Sequence, residues 1–136
     1  MSKAIDLLVN AAKLCGAEDN NIELQKIRKK AMEIDKENIY NSEDGLDATL
    51  NQHTINMRSR FWNTKNKDRN NNNIAWKVEP YFYWAERGIY RLLKNDEKEI
   101  FRNAVGNNLE IIYKDFYTMY QLKNEVDKFF NKLAED

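Results

Sequence analysis

The 136-residue chain is poor in the residues that build disulfides, metal centres and tight turns: it has one cysteine, one histidine, one proline and four glycines. The single cysteine, Cys15, excludes an internal disulfide and a cysteine-based zinc site, and we expect a small buried apolar side chain there. The single histidine, His53, has no second imidazole with which to share a metal. The glycines are isolated and form no phosphate-binding loop. These absences predict a protein without a metal, a cofactor or catalytic activity.

Long apolar runs are also missing. No segment approaches the roughly 20 apolar residues that a membrane-spanning helix needs. Near the N-terminus, Asp6 and Asn10 interrupt the apolar residues, and no signal-peptide cleavage site follows them. We therefore expect a cytoplasmic protein that does not cross a membrane.

The chain also has a net charge of zero, since 22 basic residues balance 22 acidic ones. This balance argues against a strongly basic nucleic-acid-binding protein. The charge is nevertheless uneven along the chain. Residues 1–46 and residues 92–136 each carry a net charge of −2, whereas residues 47–91 carry +4. Because local charge sets the field at a contact surface, the central segment is where an acidic ligand such as DNA would bind.

The helical spacing of apolar residues predicts three helices in the first half of the chain. The first is expected over about residues 3–15, with Gly16 just beyond its end, and the second over about residues 22–35. The third should begin at a capping Asp44 or Asp47 and extend to about Phe61 or Trp62. The residues expected to face the core are Ile5, Leu8, Val9 and Ala12 in the first helix, Leu24, Ile27, Ala31 and Ile34 in the second, and Leu46, Leu50, Ile55 (or Thr54), Met57 and Phe61 in the third.

The other side of the third predicted helix is rich in Asn, Gln, Arg and Ser. Its candidate contact residues are Asn51, His53, Asn56, Arg58 and Arg60. Asn and Gln pair bidentately with adenine, and Arg with guanine, so this composition suits the reading of base edges in DNA. The same residues also make an ordinary solvated helix face. Their chemistry alone does not separate the two interpretations.

A loop is predicted after this helix, because residues 64–73 contain no apolar side chain and include four consecutive asparagines. Lys65, Lys67 and Arg69 lie in this loop and Lys77 lies just after it. These four cations are candidates for contacts with DNA phosphates, although they would also serve simply to solvate the loop.

Residues 76–93 predict a strand, a turn or loop, and a second strand. Pro80 disfavours a central strand position, so the first strand should lie at a sheet edge or end near Glu79. Gly88 is placed to relax the backbone before the second strand, which is expected over residues 89–93. This pattern predicts a small antiparallel β unit behind the three helices.

Aromatic side chains are concentrated in the same segment. We expect at least half of them to pack in the core. Tyr81, Tyr83 and Trp84, near Pro80, cannot all be buried in a unit of two strands. One or two of them are therefore expected to be exposed, either for contact with a DNA backbone or as a docking site for a partner protein.

The C-terminal third predicts a short helix over about residues 97–105, capped by Asp96, and a long helix over residues 109–133. Apolar residues recur in the long helix with alternating steps of three and four, which is a heptad seam. Lys123 is the one polar residue in this seam. A helix with so much apolar surface must be buried against the domain, against a second copy, or against both. We predict a homodimer, and its candidate interface residues are Leu109, Ile112, Phe116, Met119, Val126, Phe130 and Leu133.

The order of these elements resembles the winged helix-turn-helix superfamily, and more narrowly the small winged-helix domains associated with bacterial restriction endonucleases. The resemblance covers residues 4–93. It rests on Ala11, Ala12, Leu14 and Gly16 at the end of the first helix, on the pair Ile27 and Ala31, on the run His53, Thr54 and Ile55, and on the closing pattern Arg87, Gly88, Tyr90, Arg91, Leu92 and Leu93. In such domains the third helix enters the major groove and the wing contacts the backbone.

Carried over, the resemblance implies a mainly α structure with a small antiparallel β wing (α+β), comprising a winged-helix domain over residues 1–94 and a helical extension over residues 95–136. It implies binding of double-stranded DNA, with base contacts from the polar third helix and phosphate contacts from the cations that follow it. The expected role is transcription regulation or a restriction- or phage-associated task in a bacterial or phage setting. The rival hypothesis is a non-catalytic protein–protein interaction module on the same scaffold.

Overall fold

The computed structural model describes residues 3–57, 80–104 and 119–135, and these residues form a mainly helical structure with a small antiparallel sheet. The mainly α, α+β class expected from the sequence is confirmed. The order of elements is α1 (Lys3–Leu14), β1 (Ile22–Glu23), α2 (Leu24–Ile34), α3 (Glu43–Gln52), β2 (Phe82–Glu86), β3 (Ile89–Leu92), α4 (Asn95–Ala104) and α5 (Met119–Glu135).

Helix α1 packs against α2 and α3 through one apolar face, on which Ile5, Leu8 and Ala12 are almost completely buried. Gly16 follows α1 with a φ of +87°, a conformation that glycine adopts without the steric cost of a Cβ atom. Both features agree with the prediction.

Cys15 is only half-buried, and its thiol donates a hydrogen bond to the carbonyl oxygen of Lys26 at 3.5 Å, so the expected full burial is wrong.

The second helix begins two residues later than predicted, because Ile22 and Glu23 form a short strand, β1. Ile22 pairs with Tyr90 and Glu23 pairs with Ile89 of β3, in antiparallel register. A strand of two residues is too short to show an alternating pattern, and its partner lies far along the chain. Its formation therefore depends on tertiary contacts that the local sequence does not reveal.

Helix α3 begins after Ser42, whose hydroxyl oxygen accepts a hydrogen bond from the Gly45 N–H at 3.3 Å. The predicted caps Asp44 and Asp47 are wrong, because both lie inside the helix. The helix also ends about nine residues before its predicted end. It stops at Gln52, and the chain then turns toward the sheet. Its predicted core residues up to residue 57 are buried, namely Leu46, Leu50, Ile55 and Met57, while Phe61 lies outside the described residues.

The sheet has the strand order β1-β3-β2, so β3 is central and β2 lies at an edge. Of the two alternatives predicted for the first hairpin strand, the edge position is the one observed: β2 follows Pro80 and does not end near Glu79. Phe82 and Trp84 point into the core while alternate residues are less buried, which is the period of a half-buried strand. The turn between β2 and β3 contains Gly88 with a φ of +74°.

The C-terminal helices pack on each other. Phe101 of α4 is buried, and so are Leu122, Val126 and Phe130 of α5. The dimer was predicted because the C-terminal helix had more apolar side chains than the sequence offered partners for. Val126 and Phe130 give no support to a dimer, because they are already buried within the single chain. Only the backbone is described for Met119 and Leu133, and the other predicted interface residues, Leu109, Ile112 and Phe116, lie outside the described residues.

None of the helices in residues 3–57, 80–104 and 119–135 is both long enough and apolar enough to cross a membrane.

Candidate interaction surfaces

The exposed face of α3 is acidic. The helix carries three carboxylates, Glu43, Asp44 and Asp47, and no basic side chain. Glu43 and Asp44 lie in its first turn and are exposed, and the side chain of Glu43 is 64% accessible. The acidic α3 turn, as we call Glu43 and Asp44, therefore places two negative charges at the helix end where its own dipole is positive.

Asp47 is neutralised by a cation from the neighbouring helix. Arg28 of α2 donates from Nε to Oδ1 of Asp47 at 2.9 Å and from Nη2 to Oδ2, a bidentate pair whose side chains are 18% and 27% exposed. This hydrogen bond raises the pKa of Arg28 against the opposing effect of burial. Glu43 is more distant, with its carboxylate 3.9 Å from Nη1 of Arg28. Arg28 therefore pairs closely with Asp47 and at longer range with Glu43, whereas Asp44 forms no ion pair within the described residues.

Two of the three described residues expected to read DNA bases are buried. Asn51 is half-buried, and its Oδ1 accepts a long hydrogen bond from the Tyr90 hydroxyl at 3.4 Å. His53 is 6% exposed, its ring centroid lies 5.6 Å from that of Tyr81, and its carbonyl oxygen accepts from the N–H groups of Tyr81 and Phe82. The predicted exposure of His53 on a helix face is wrong, since the helix has ended and the residue faces the sheet.

Asn56 closes the open edge of the sheet. Its side chain is completely buried, with Oδ1 accepting from the Trp84 N–H at 2.8 Å and Nδ2 donating to the Trp84 carbonyl at 2.8 Å. Two residues before Trp84 in β2, the carbonyl oxygen of Phe82 accepts a hydrogen bond from the Ile55 N–H. The carboxamide thus continues the hydrogen-bond pattern of a neighbouring strand. Its predicted exposure is wrong, and burial removes Asn56 from the side chains that could contact DNA.

The remaining residues of the predicted DNA-binding set lie outside the described residues; they are Arg58, Arg60, Lys65, Lys67, Arg69 and Lys77.

The aromatic group expected to receive a partner protein is covered by the chain's own C-terminal helix. Trp84 is 1% exposed, and its ring lies 5.5 Å from that of Tyr120 of α5. The ammonium group of Lys123 lies 5.4 Å from the Tyr83 ring and 5.5 Å from the Trp84 ring. Tyr81 is half-buried beside His53. Trp84 is buried and Tyr81 and Tyr83 are half-buried, so the expectation that one or two of these rings would be exposed is met only in part.

Asp127 links α5 to Asn56, beside strand β2. It accepts a hydrogen bond from Asn56 Nδ2 at 2.9 Å and pairs with Lys123 at 2.6 Å, one helical turn away. On the other side of Tyr83, the guanidinium of Arg91 stacks 4.5 Å from the ring and forms a bidentate pair with Glu97 of α4. Burial, followed by the charge of Asp127, raises the pKa of Tyr83 to about 12. These contacts cross the domain boundary predicted at residue 94.

A cavity of about 340 Å³ lies between the end of α1, the loop after it, the end of β3 and the start of α4. Its charged lining consists of three lysines and two carboxylates. The nine lining residues are Val9, Lys13, Glu18, Asp19, Leu92, Leu93, Lys94, Asn95 and Lys98.

This cavity and the α5 contacts were not found from the sequence. Lys94 and Lys98 are four residues apart, a spacing that places two like charges on one face of a helix, and this was the one local signal. Lys13 joins them only through the fold. Asp127 likewise shows no pattern that predicts its contact with Asn56, because the two lie 71 residues apart in the sequence.

Within the described residues, no group of three or more His, Cys, Asp or Glu side chains is arranged to hold a metal ion. In comparisons with protein-family models, curated proteins and solved structures, nothing matched this chain.

Proposed function

We propose that this chain is a non-catalytic protein-interaction module on a winged-helix scaffold, and that it binds a basic protein surface through the acidic α3 turn. The scaffold is supported by the order of elements: a strand between the first two helices, a hairpin after the third, and the strand order β1-β3-β2. In a winged helix the third helix is the main contact element, and the N-terminal part of that helix approaches the ligand.

The observation that carries the proposal is the charge of α3. Duplex DNA has one negative charge for roughly every 1.7 Å of its axis, so a helix entering a groove needs cations or neutral polar groups on its leading turn. Here that turn exposes Glu43 and Asp44, and the cation that reaches Glu43, Arg28, pairs more closely with Asp47. The same charges attract a protein segment rich in lysine or arginine.

Residues around Tyr83 and Trp84 do not support a competing docking site, because α5 covers most of them. Because contacts between exposed charges are individually weak, we expect binding in the micromolar range or weaker, with strong dependence on salt.

A fluorescent lysine-rich peptide tests the proposal. Fluorescence anisotropy should show binding to the wild-type chain at low salt and a loss of affinity of at least about tenfold in the double variant Glu43→Gln, Asp44→Asn. The matched control is Asp6→Asn, Glu99→Gln, which removes the same total charge from exposed positions of α1 and α4. Equal losses in the two variants would mean attraction to net charge only and would overturn the assignment to α3.

Duplex DNA binding remains the second candidate, and the charge of +4 over residues 47–91 favours it. In this case, phosphates would be contacted mainly by the cations after α3. A titration with duplex DNA at several salt concentrations separates the two functions. Salt-dependent DNA binding that is lost in Arg58→Ala, Arg60→Ala, without peptide binding, would replace the proposed function with this candidate. The proposed function predicts no duplex binding at low salt.

A further inference from the structure

The cavity at the start of α4 is lined by apolar and charged side chains, which we call its apolar floor and its charged rim. Val9, Leu92 and Leu93 supply apolar surface, and both leucines are almost fully buried. The ammonium groups come from Lys13 at the end of α1 and from Lys94 and Lys98 at the start of α4. Its volume of about 340 Å³ is at the small end of the range for ligand pockets, about 300–1,000 Å³. The size fits a small metabolite better than a macromolecule.

The cations of this cavity form no ion pair within the described residues. In the part of the chain that the structure describes, none of Lys13, Lys94, Lys98 and the nearby Arg102 forms an ion pair with a carboxylate. Lys98 is half-buried, and its ammonium group lies 4.8 Å from the centre of the Tyr81 ring. Elsewhere the fold pairs its half-buried cations, as in Arg28 with Asp47 and Arg91 with Glu97.

The electrostatics of Lys98 are consistent with a surplus of positive charge. Burial lowers its pKa, and the charges of Lys13 and Arg102 lower it further, while Glu18 acts in the opposite direction. A bound anion would relieve this repulsion and would be held by charge-assisted hydrogen bonds, which are about twice as strong as neutral ones.

We propose that this cavity binds a small organic phosphate monoester, with its phosphate group held by Lys13, Lys94 and Lys98. The apolar floor contacts the organic part of the ligand. Glu18 and Asp19 on the rim accept hydrogen bonds from its hydroxyl or amino groups and repel a second phosphate. This arrangement favours a ligand with one phosphate and a hydroxyl-bearing body, such as a sugar phosphate, over polyphosphates and nucleic acids. No residue of α3 lines this cavity, so the phosphate-binding proposal does not depend on the proposed protein-interaction function.

NMR titration of the ¹⁵N-labelled full chain tests the site, with ribose 5-phosphate, inorganic phosphate and ribose as probes. Ribose 5-phosphate should cause saturable shifts of amides at residues 13–19 and 92–98. Ribose should cause none, and inorganic phosphate should bind more weakly because it does not reach the apolar floor. No saturable shift at millimolar concentrations would overturn the proposal. Equal affinity for inorganic phosphate and ribose 5-phosphate would overturn the assignment of an organic ligand.

The variant Lys98→Met keeps much of the side-chain volume and removes the charge. It should weaken ribose 5-phosphate binding by roughly tenfold to a hundredfold, the usual effect of losing a hydrogen bond to a charged group. The matched control is Lys29→Met, an exposed lysine of α2. If the spectrum of Lys98→Met shows that it is unfolded, Lys94→Met replaces it in the same titration. Unchanged affinity in a folded variant would contradict the proposed phosphate contacts.

Discussion

Replacing Asn56 by alanine tests how the edge of the sheet is closed. The carboxamide of Asn56 makes three hydrogen bonds, one to the Trp84 N–H, one to the Trp84 carbonyl and one to the Asp127 carboxylate. Alanine removes all three and leaves both backbone groups of Trp84 at a buried position with no side chain to pair them. Asp127 retains its contact with Lys123 and is the least affected of the three partners.

The expected loss follows from the cost of unpaired buried groups. Each unsatisfied backbone donor or acceptor costs about 1–3 kcal/mol, and two are left in Asn56→Ala. If water enters the space vacated by the carboxamide, part of this cost is recovered. We therefore expect the free energy of unfolding to fall by about 2–5 kcal/mol, a large share of the roughly 5–15 kcal/mol that is usual for a domain.

Urea denaturation followed by circular dichroism at 222 nm measures this change. The matched control is Asn51→Ala, because Asn51 lies in the same region but is half-buried and accepts a single long hydrogen bond, at 3.4 Å from Tyr90. Its loss should not exceed about 1 kcal/mol, since alanine also favours the helix. If Asn56→Ala unfolds within about 0.5 kcal/mol of the wild type, or no earlier than Asn51→Ala, then Asn56 does not close the sheet edge.

Two further variants examine the C-terminal helices. Leu122→Ala should lower the free energy of unfolding by about 2–5 kcal/mol, because Leu122 is completely buried, and the loss should be the same at low and high protein concentration because the burial lies within one chain. A stability that rises with protein concentration would instead support the predicted dimer. Burial alone would raise the pKa of Glu97, but the hydrogen bonds from Arg91 and the Lys94 N–H outweigh it and lower the pKa below the ordinary 4.5. Glu97 therefore stabilises the fold above about pH 4.5, and this contribution is lost as the pH falls through the lowered value. Glu97→Gln should be less stable than the wild type at pH 7 and should lose less stability on acidification, whereas Glu99→Gln, at an exposed position of the same helix, should follow the wild type in urea denaturation at each pH.

The parts of the fold that were predictable are those encoded within a few residues. Ile5, Leu8, Ile27 and Ala31 repeat with the period of a helix, so their burial follows from local spacing. Gly16 occupies a left-handed position that glycine favours, so the end of α1 could also be predicted. Neither feature needs information about distant parts of the chain.

The features that were missed depend on pairs of residues far apart in the sequence. β1 exists because β3 is available to pair with it. The third helix continued in the prediction because Ile55 and Met57 fit its apolar pattern, yet both are buried after the helix has ended. Their burial was predicted correctly from an incorrect local structure, since a turn beside the sheet can bury the same residues as a helix.

The polar residues of that turn were misassigned for the same reason. An Asn in a solvated helix face and an Asn that completes a buried sheet edge look identical in sequence. What distinguishes Asn56 is the position of Trp84, which lies 28 residues further along the chain.

The C-terminal helix and the aromatic group near Pro80 each appeared in the sequence to need a partner. The structure brings the two together: α5 buries Leu122, Val126 and Phe130, and it covers Trp84 through Tyr120 and Lys123. The C-terminal helix and the aromatic group therefore cover each other within one chain, without a second copy or a foreign protein. Two charged features of the described residues are the binding surfaces that we propose: the acidic α3 turn and the lysines of the cavity at α4. Since their charges are opposite and their elements different, they should recognise different ligands, which is why we assign a basic protein surface to the first and a phosphate monoester to the second.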